Sequence, residues 1–189
     1  MSALSQTHPW TNKLLFLAQM DALTASPVDA LIDGVRAKSG LIGPAIPIER
    51  RHVTIHHIGN FPELWDAVVT PAREAGDMVA MPAFVAAFDR LTSLRGAHDN
   101  NPLVLLGDDG VIGLRILHRV LSEALGKTLA GRWQPRRFFT PHITLLYDRQ
   151  RIAERPIEPV TWTVREFVLV NSLVGLGRHD VLARWTLRT

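Results

Sequence analysis

The sequence predicts a mixed α+β domain, and three observations carry that reading. Short alternating or β-branched apolar runs recur along the chain, two or three stretches with helical spacing lie between them, and no linker or low-complexity segment divides the 189 residues. Apolar residues make up 47% of the chain, enough to fill one core at this length. Residues 1–189 are therefore expected to form a single unit of two lobes.

Taken in order, Lys13 to Gln19 (KLLFLAQ) reads as a buried strand. Ser26-Pro27 opens a helix through Lys38, with Ser26 as cap and Pro27 at the first helical position, and Ser39-Gly40 closes it. Arg51 to Ile58 (RHVTIHHI) alternates as a strand, and Pro62 to Glu74 is expected as a helix interrupted at Pro71. Phe84, Ala86 and Phe88 alternate as a strand would, and Leu103 to Leu106 is a short apolar strand. Asp109 to Leu125 carries Ile112, Ile116, Leu117, Val120 and Ala124 at helical spacing, with a stop at Gly126. Gly107-Asp108-Asp109-Gly110 reads as the turn that feeds this helix, so no metal is assigned to it. A loop rich in arginine and aromatics, GRWQPRRFFTP, leads into a strand from His142 to Tyr147, and strands at Val160 to Val170 and Val181 to Leu187 complete the chain.

Composition narrows the chemistry. The chain has no cysteine, which removes disulfides, thiolate zinc sites and cysteine nucleophiles together and makes a reducing cytoplasm the expected compartment. A formal charge of +3 is a mild basic bias that permits a polyanionic partner without demanding one. The N-terminal stretch lacks the charged start and cleavage site of a signal peptide, and no run approaches the roughly 18 apolar residues of a membrane span. Chemistry is left to His, Thr, Arg and carboxylates.

Two His-x-Thr segments stand out, His52-Val53-Thr54 and His142-Ile143-Thr144, separated by nearly half the chain. In a strand, residues i and i+2 share a face, so each His and Thr point one way while Val53 and Ile55, or Ile143 and Leu145, point into an apolar layer. Paired about a pseudo-twofold axis, the strands would set two imidazoles and two hydroxyls around one pocket. That set suits a phosphodiester. One histidine can take the proton of water, the other can protonate the departing oxygen, and threonine hydroxyls can donate to the non-bridging oxygens. The scheme requires no metal and no cofactor.

These residues resemble the 2H phosphoesterase superfamily, in particular its RNA 2′,3′-cyclic phosphodiesterases, historically called 2′-5′ RNA ligases. HVTIHHIG at 52 to 59 is similar to the family's first motif and PHITL at 141 to 145 to its second. Ser172-Leu173, Gly177 and Leu182-Ala183-Arg184-Trp185 resemble its C-terminal pattern. The resemblance implies a bilobal pseudo-twofold fold, with two antiparallel sheets lining a central cleft and helices outside. It implies hydrolysis of a terminal RNA 2′,3′-cyclic phosphate to a 2′-phosphate by a monomer, with His52 as acid toward the 3′ oxygen, His142 as partner of water, and Thr54 and Thr144 on the phosphate. Near-symmetry leaves the division between the two histidines open. Three positions depart from the family pattern: His57 stands where a phenylalanine is common, Tyr147 where a basic residue often follows the second motif, and His179 where a tyrosine is usual.

Arg132, Arg136 and Arg137, interleaved with Trp133, Phe138 and Phe139, are candidates to grip RNA, and if the strand begins early its alternation forbids Arg136 and Arg137 from both facing the cleft. Tyr147 is a further candidate contact. His56 shares the strand face of His52 and Thr54 and is read as a spectator, His57 as packed on the opposite side, and His8, His98 and His118 as surface or core residues. Three alternatives share or replace the chemistry: a cyclic phosphodiesterase for small nucleotides such as ADP-ribose 1″,2″-cyclic phosphate, reversible 2′-5′ ligation, and a module that binds RNA ends without cleaving them.

Overall fold

The computed structural model describes residues 12–131, 133–134 and 138–188. Eight strands are present among them: β1 (Asn12–Gln19), β2 (His52–Phe61), β3 (Phe84–Ser93), β4 (Asn101–Leu106), β5 (His142–Asp148), β6 (Arg155–Val164), β7 (Glu166–Leu173) and β8 (Arg178–Thr186). Three helices accompany them, α1 (Ala25–Ser39), α2 (Asp66–Asp77) and α3 (Ile112–Thr128). The α+β class expected from the sequence is the class observed.

The strands form one antiparallel sheet in the order β6-β3-β4-β5-β2-β1-β7-β8. Two separate sheets were expected. They are joined because β2 and β5 pair at the centre through Val53 opposite Ile143, the middle residues of the two His-x-Thr segments. Beyond that point β5 finds another partner: Ile46 N–H donates to Leu145 O at 2.7 Å and Ala45 bridges Leu146. The chain between α1 and β2 thus wedges against β5, and the strands part to open a cleft.

A strand–helix–strand order recurs, β1-α1-β2 and β4-α3-β5. The remaining strands cross over, since β3 and β6 extend the His142 side while β7 and β8 return to the His52 side. The repeat extends to register. Leu17, Ala18 and Gln19 lie opposite Thr54, Val53 and His52. Val104, Leu105 and Leu106 lie opposite Thr144, Ile143 and His142. In both pairs the register then slips by one residue, leaving Ile55 unpaired in β2 and Leu145 unpaired in β5. A bulge of this kind resets the alternation of every side chain beyond it.

The main core lies between one face of the sheet and the helices, with Val28, Ile32 and Val35 of α1, and Leu114, Leu117, Leu121 and Leu125 of α3, against Leu14, Phe16, Val53, Ile55, Ile143 and Leu145. The other face bears Leu15, Leu17, Val168 and Val170 as a second small apolar cluster, and the cleft. The C-terminal motif has a packing role here. Trp185 stacks on Phe167 with centroids 5.1 Å apart, sits 5.7 Å from Phe16, and donates to Asp77 Oδ1 at 2.6 Å, tying β8 to the end of α2.

Several boundaries differ from the sequence reading. Helix α1 begins at Ala25 behind a short 3₁₀ turn capped by Asp21, whose side chain accepts from Leu23 N, so Ser26 is not the cap. Gly40 does end it, in the left-handed region at φ 67°. Helix α2 starts at Asp66 and passes through Pro71 unbroken; only one backbone bond to the preceding turn is forfeited. Helix α3 runs past Gly126 to Thr128, because glycine weakens a helix without ending one that is held by packed leucines. The run Val160 to Val170 divides at Arg165 into β6 and β7, which lie in opposite halves of the sheet and pair with different strands. In the Gly107–Gly110 turn, Asp108 pairs with Arg90 at 2.5 Å, and a Cβ on either glycine would stand 2.5 Å from Ala87 O.

Candidate active site

The cleft of about 810 Å³ is lined by all four residues of the paired motif, His52, Thr54, His142 and Thr144, from the two central strands. Their side chains are half-buried while Val53, Ile55, Ile143 and Leu145 between and after them are buried, which is the alternation the sequence predicts up to the bulge. The imidazoles are oriented by the same device. His52 Nδ1 meets Arg50 O at 2.7 Å and His142 Nδ1 meets Thr140 O at 2.8 Å, each two residues upstream. A carbonyl only accepts, so Nδ1 carries the hydrogen in both rings and Nε2 is left for other partners.

Among the described residues the cleft lining holds Lys13, Arg50 and six histidines, and no carboxylate. This makes it a site for an anion. Arg50 was not singled out from the sequence; it lies two residues before His52, outside the strand. It ends a 3₁₀ turn, Ile48–Arg50, and its guanidinium reaches the β7–β8 turn, where a Cβ on Gly177 would stand 3.0 Å from Arg50 Nη1. Gly177 itself is left-handed at φ 61°. Among the described residues Arg50 Nε is buried without a hydrogen-bond partner. His179 packs edge-on against His52 with ring centroids 5.2 Å apart, and its Nδ1 is likewise buried without a partner among the described residues.

These neighbours set the charge state of His52. Burial lowers its pKa to about 4 against the opposing pull of the Arg50 carbonyl, and repulsion from His179, Arg50 and His142 lowers it further. His179 is lowered too, by burial and then by Arg50. His52 is therefore neutral near pH 7, and because His142 contributes to that repulsion, protons on the two catalytic candidates oppose each other.

The bulge at Ile55 overturns the reading of His57. His57, expected to be packed, is half-buried on the cleft with Nε2 2.7 Å from Asn60 Oδ1; Tyr147 of β5 also lines the cleft. His56 is buried against α3, its Nε2 2.9 Å from His118 O and 3.1 Å from Ser122 Oγ. It stacks on His118 at 4.2 Å, and His118 stacks on Phe139 at 4.2 Å and 5°. Phe139 and the exposed Phe138 line the cleft, while Trp133 is tucked into the core and stands edge-on to His56. The arginine loop thus divides: its described aromatics both tuck in and face the cleft, and Arg132, Arg136 and Arg137 lie outside the described residues. His8 also lies outside them. His98 is remote from the cleft lining, in a left-handed conformation at φ 52°.

Asp148, at the end of β5, fixes the wedge beside the site. Its carboxylate accepts from Ile42 N at 2.7 Å, Gly43 N at 2.8 Å and Gln150 N at 2.9 Å, and these bonds, led by Gln150, hold its pKa below the usual carboxylate value. Among the described residues no group of three His, Cys, Asp or Glu is placed to hold a metal, and no helix is long and apolar enough to cross a membrane.

A model of the 2′-5′ RNA ligase superfamily matches residues 25–175. The chain belongs to that superfamily, a group of 2H phosphoesterases. No curated protein sequence matches. Solved structures share the fold. Apo LigT of E. coli is 23% identical with a TM-score of 0.69, covering 95% of this chain and 99% of its own. The TT0787 protein of Thermus thermophilus is 19% identical with a TM-score of 0.72, covering 93% and 98%.

Proposed function

We propose that this chain is a phosphodiesterase that hydrolyses the 2′,3′-cyclic phosphate end of RNA to a 2′-phosphate, with His52 and His142 transferring protons and Thr54 and Thr144 donating to the non-bridging oxygens. The observation that carries the reading is the repeated His-x-Thr geometry: two adjacent central strands, one shared pair at Val53 and Ile143, and two Nδ1 atoms held by carbonyls so that both Nε2 atoms are available. A neutral Nε2 takes the proton of the attacking water. A protonated one gives its proton to the 3′ oxygen as the P–O3′ bond breaks, leaving phosphate on the 2′ oxygen and a free 3′ hydroxyl.

Burial favours the neutral form of His52, the state a base needs, so we assign the base to His52 and, by the two-histidine scheme, the acid to His142. This reverses the division implied by the family resemblance. Arg50, which lines the cleft beside His52, stands in for the basic residue that Tyr147 replaces and holds negative charge on the phosphate through the transition state.

LigT has been solved in complex with 3′-AMP and with NADP+, both phosphate-bearing nucleotides. This supports a nucleotide end as the ligand class and keeps a small cyclic nucleotide as the second reading. Incubation with an oligonucleotide bearing a 2′,3′-cyclic phosphate, followed by phosphorus NMR, tests the proposal. A 2′-phosphate product is expected, with turnover at least tenfold faster than on ADP-ribose 1″,2″-cyclic phosphate. A 3′-phosphate product would refute the mechanism, and preference for the small nucleotide would refute the RNA assignment.

A further inference from the structure

Register aligns four polar residues side by side across the His52 half of the sheet. Asn60 of β2 lies opposite Lys13 of β1, Lys13 opposite Ser172 of β7, and Ser172 opposite His179 of β8. All four line the cleft, so their side chains share its face. The row starts at His179, whose ring touches that of His52. With strands about 4.8 Å apart, it places the Lys13 backbone about 10 Å from that of His179.

The groups along this row are donors. Lys13 presents an ammonium and Ser172 a hydroxyl, and neither side chain has a hydrogen-bond or ion-pair partner among the described residues. Asn60 Oδ1 is engaged by His57 Nε2, which leaves its amide N–H₂ to donate. Among the described residues no carboxylate lines the cleft to neutralise them. Hydrolysis of a cyclic phosphate uses none of the three. We infer that Lys13, Ser172 and Asn60 form a second phosphate subsite, which takes the phosphate one step from the cyclic group. The occupant is the internucleotide phosphate of an RNA end, and the pyrophosphate of a small nucleotide would present the same chemistry.

The inference rests on the cyclic-phosphate reading of the histidine pair for its chemical setting, and binding separates the two. Equilibrium binding is measured for three ligands: a dinucleotide ending in a 3′-phosphate, the same dinucleotide with a neutral methylphosphonate linkage, and the mononucleotide 3′-phosphate. The charged dinucleotide is expected to bind about tenfold more tightly than the other two, a difference of about 1.4 kcal/mol. Lys13→Gln is expected to abolish that difference while leaving mononucleotide affinity unchanged. Ser172→Ala is expected to reduce it severalfold, and kcat on a cyclic-phosphate dinucleotide is expected to stay within twofold in both variants as KM rises.

Equal affinity for the charged and neutral dinucleotides, or a Lys13→Gln effect of the same size on all three ligands, would overturn the subsite. Charge-dependent binding without turnover of the cyclic dinucleotide would support the subsite and overturn the hydrolytic reading. An ADP-ribose arm identifies the source: Lys13→Gln weakening ADP-ribose 1″,2″-cyclic phosphate more than the dinucleotide would overturn the internucleotide assignment.

Discussion

Strands β2 and β5 use one backbone device twice: each holds its imidazole through Nδ1 on the carbonyl two residues upstream, sets threonine on the same face, and bulges at the next residue. Their surroundings differ. His52 stands against His179 and Arg50 and is driven neutral, whereas the residue upstream of His142 at the position matching Arg50 is Thr140, and the cleft beside it is lined by Phe139 and Tyr147. Duplicated backbone geometry therefore sets two imidazoles alike, and unequal neighbours are what the proposed division between base and acid rests on.

The histidines offer the largest test of that difference. His52→Ala and His142→Ala are each expected to lower kcat on an RNA cyclic phosphate by about 10²- to 10⁴-fold. A substrate whose 3′ leaving oxygen is replaced by sulfur needs little help from an acid. It should restore His142→Ala to within about tenfold of wild type and leave His52→Ala impaired. Rescue of His52→Ala alone would invert the assignment and return it to the division implied by the family resemblance. The threonines come next: Thr54→Val and Thr144→Val should each lower kcat by about 10²- to 10³-fold, the usual cost of one lost donor to developing charge. A loss confined to one of them would show that the phosphate is held asymmetrically as well.

Arg50 sharpens the comparison at smaller amplitude. Arg50→Gln should lower kcat/KM about ten- to a hundredfold, the size expected for a lost charged hydrogen bond. It should also move the acidic limb of the kcat/KM profile to higher pH. The sign follows from the cause: the guanidinium is one of the charges that lower the His52 pKa, and its removal lets His52 protonate more readily. An unmoved limb would mean that His52 is neutral through burial alone.

The sequence foretold most of this where a single period or motif governed the outcome. His-x-Thr on strands, apolar partners on the other face, a glycine-ended α1 and the α+β class all follow from local patterning. What it did not foretell depends on contacts made at a distance. Alternation assigned His57 to the core, and the bulge at Ile55 left it on the cleft while His56 packs against α3, because an unpaired residue leaves no mark in a run of β-branched residues. Arg50 was overlooked because it precedes the motif, and its value lies in the β7–β8 turn that reaches it from the far end of the chain. Merger of two expected sheets into one hangs on a single residue pair that no periodicity encodes.

His56 extends the comparison from catalysis to stability. Its counterpart on β5, one residue past the equivalent bulge, is the fully buried Leu146, so the same place in the fold accepts an apolar side chain. At His56 burial lowers the pKa to about 4, opposed by the hydrogen bond to His118 O and helped by repulsion from His118. An unfolded histidine titrates near 6.5, so between that value and 4 the unfolded state binds the extra proton and folding weakens as pH falls. The full loss is about 3 kcal/mol, reached near pH 4 and absent above pH 6.5. His56→Leu removes this group while His52, which titrates in the same window, remains in both proteins. Urea unfolding is expected to give the two proteins stabilities within about 1 kcal/mol of each other at pH 7.5. At pH 4.5 the variant should be more stable by about 2 to 3 kcal/mol relative to the difference at pH 7.5, since two units of the shift have by then been spent. Parallel stability curves across that range would mean that His56 titrates in the folded protein as it does in the unfolded chain, and that its stack on His118 is open to water.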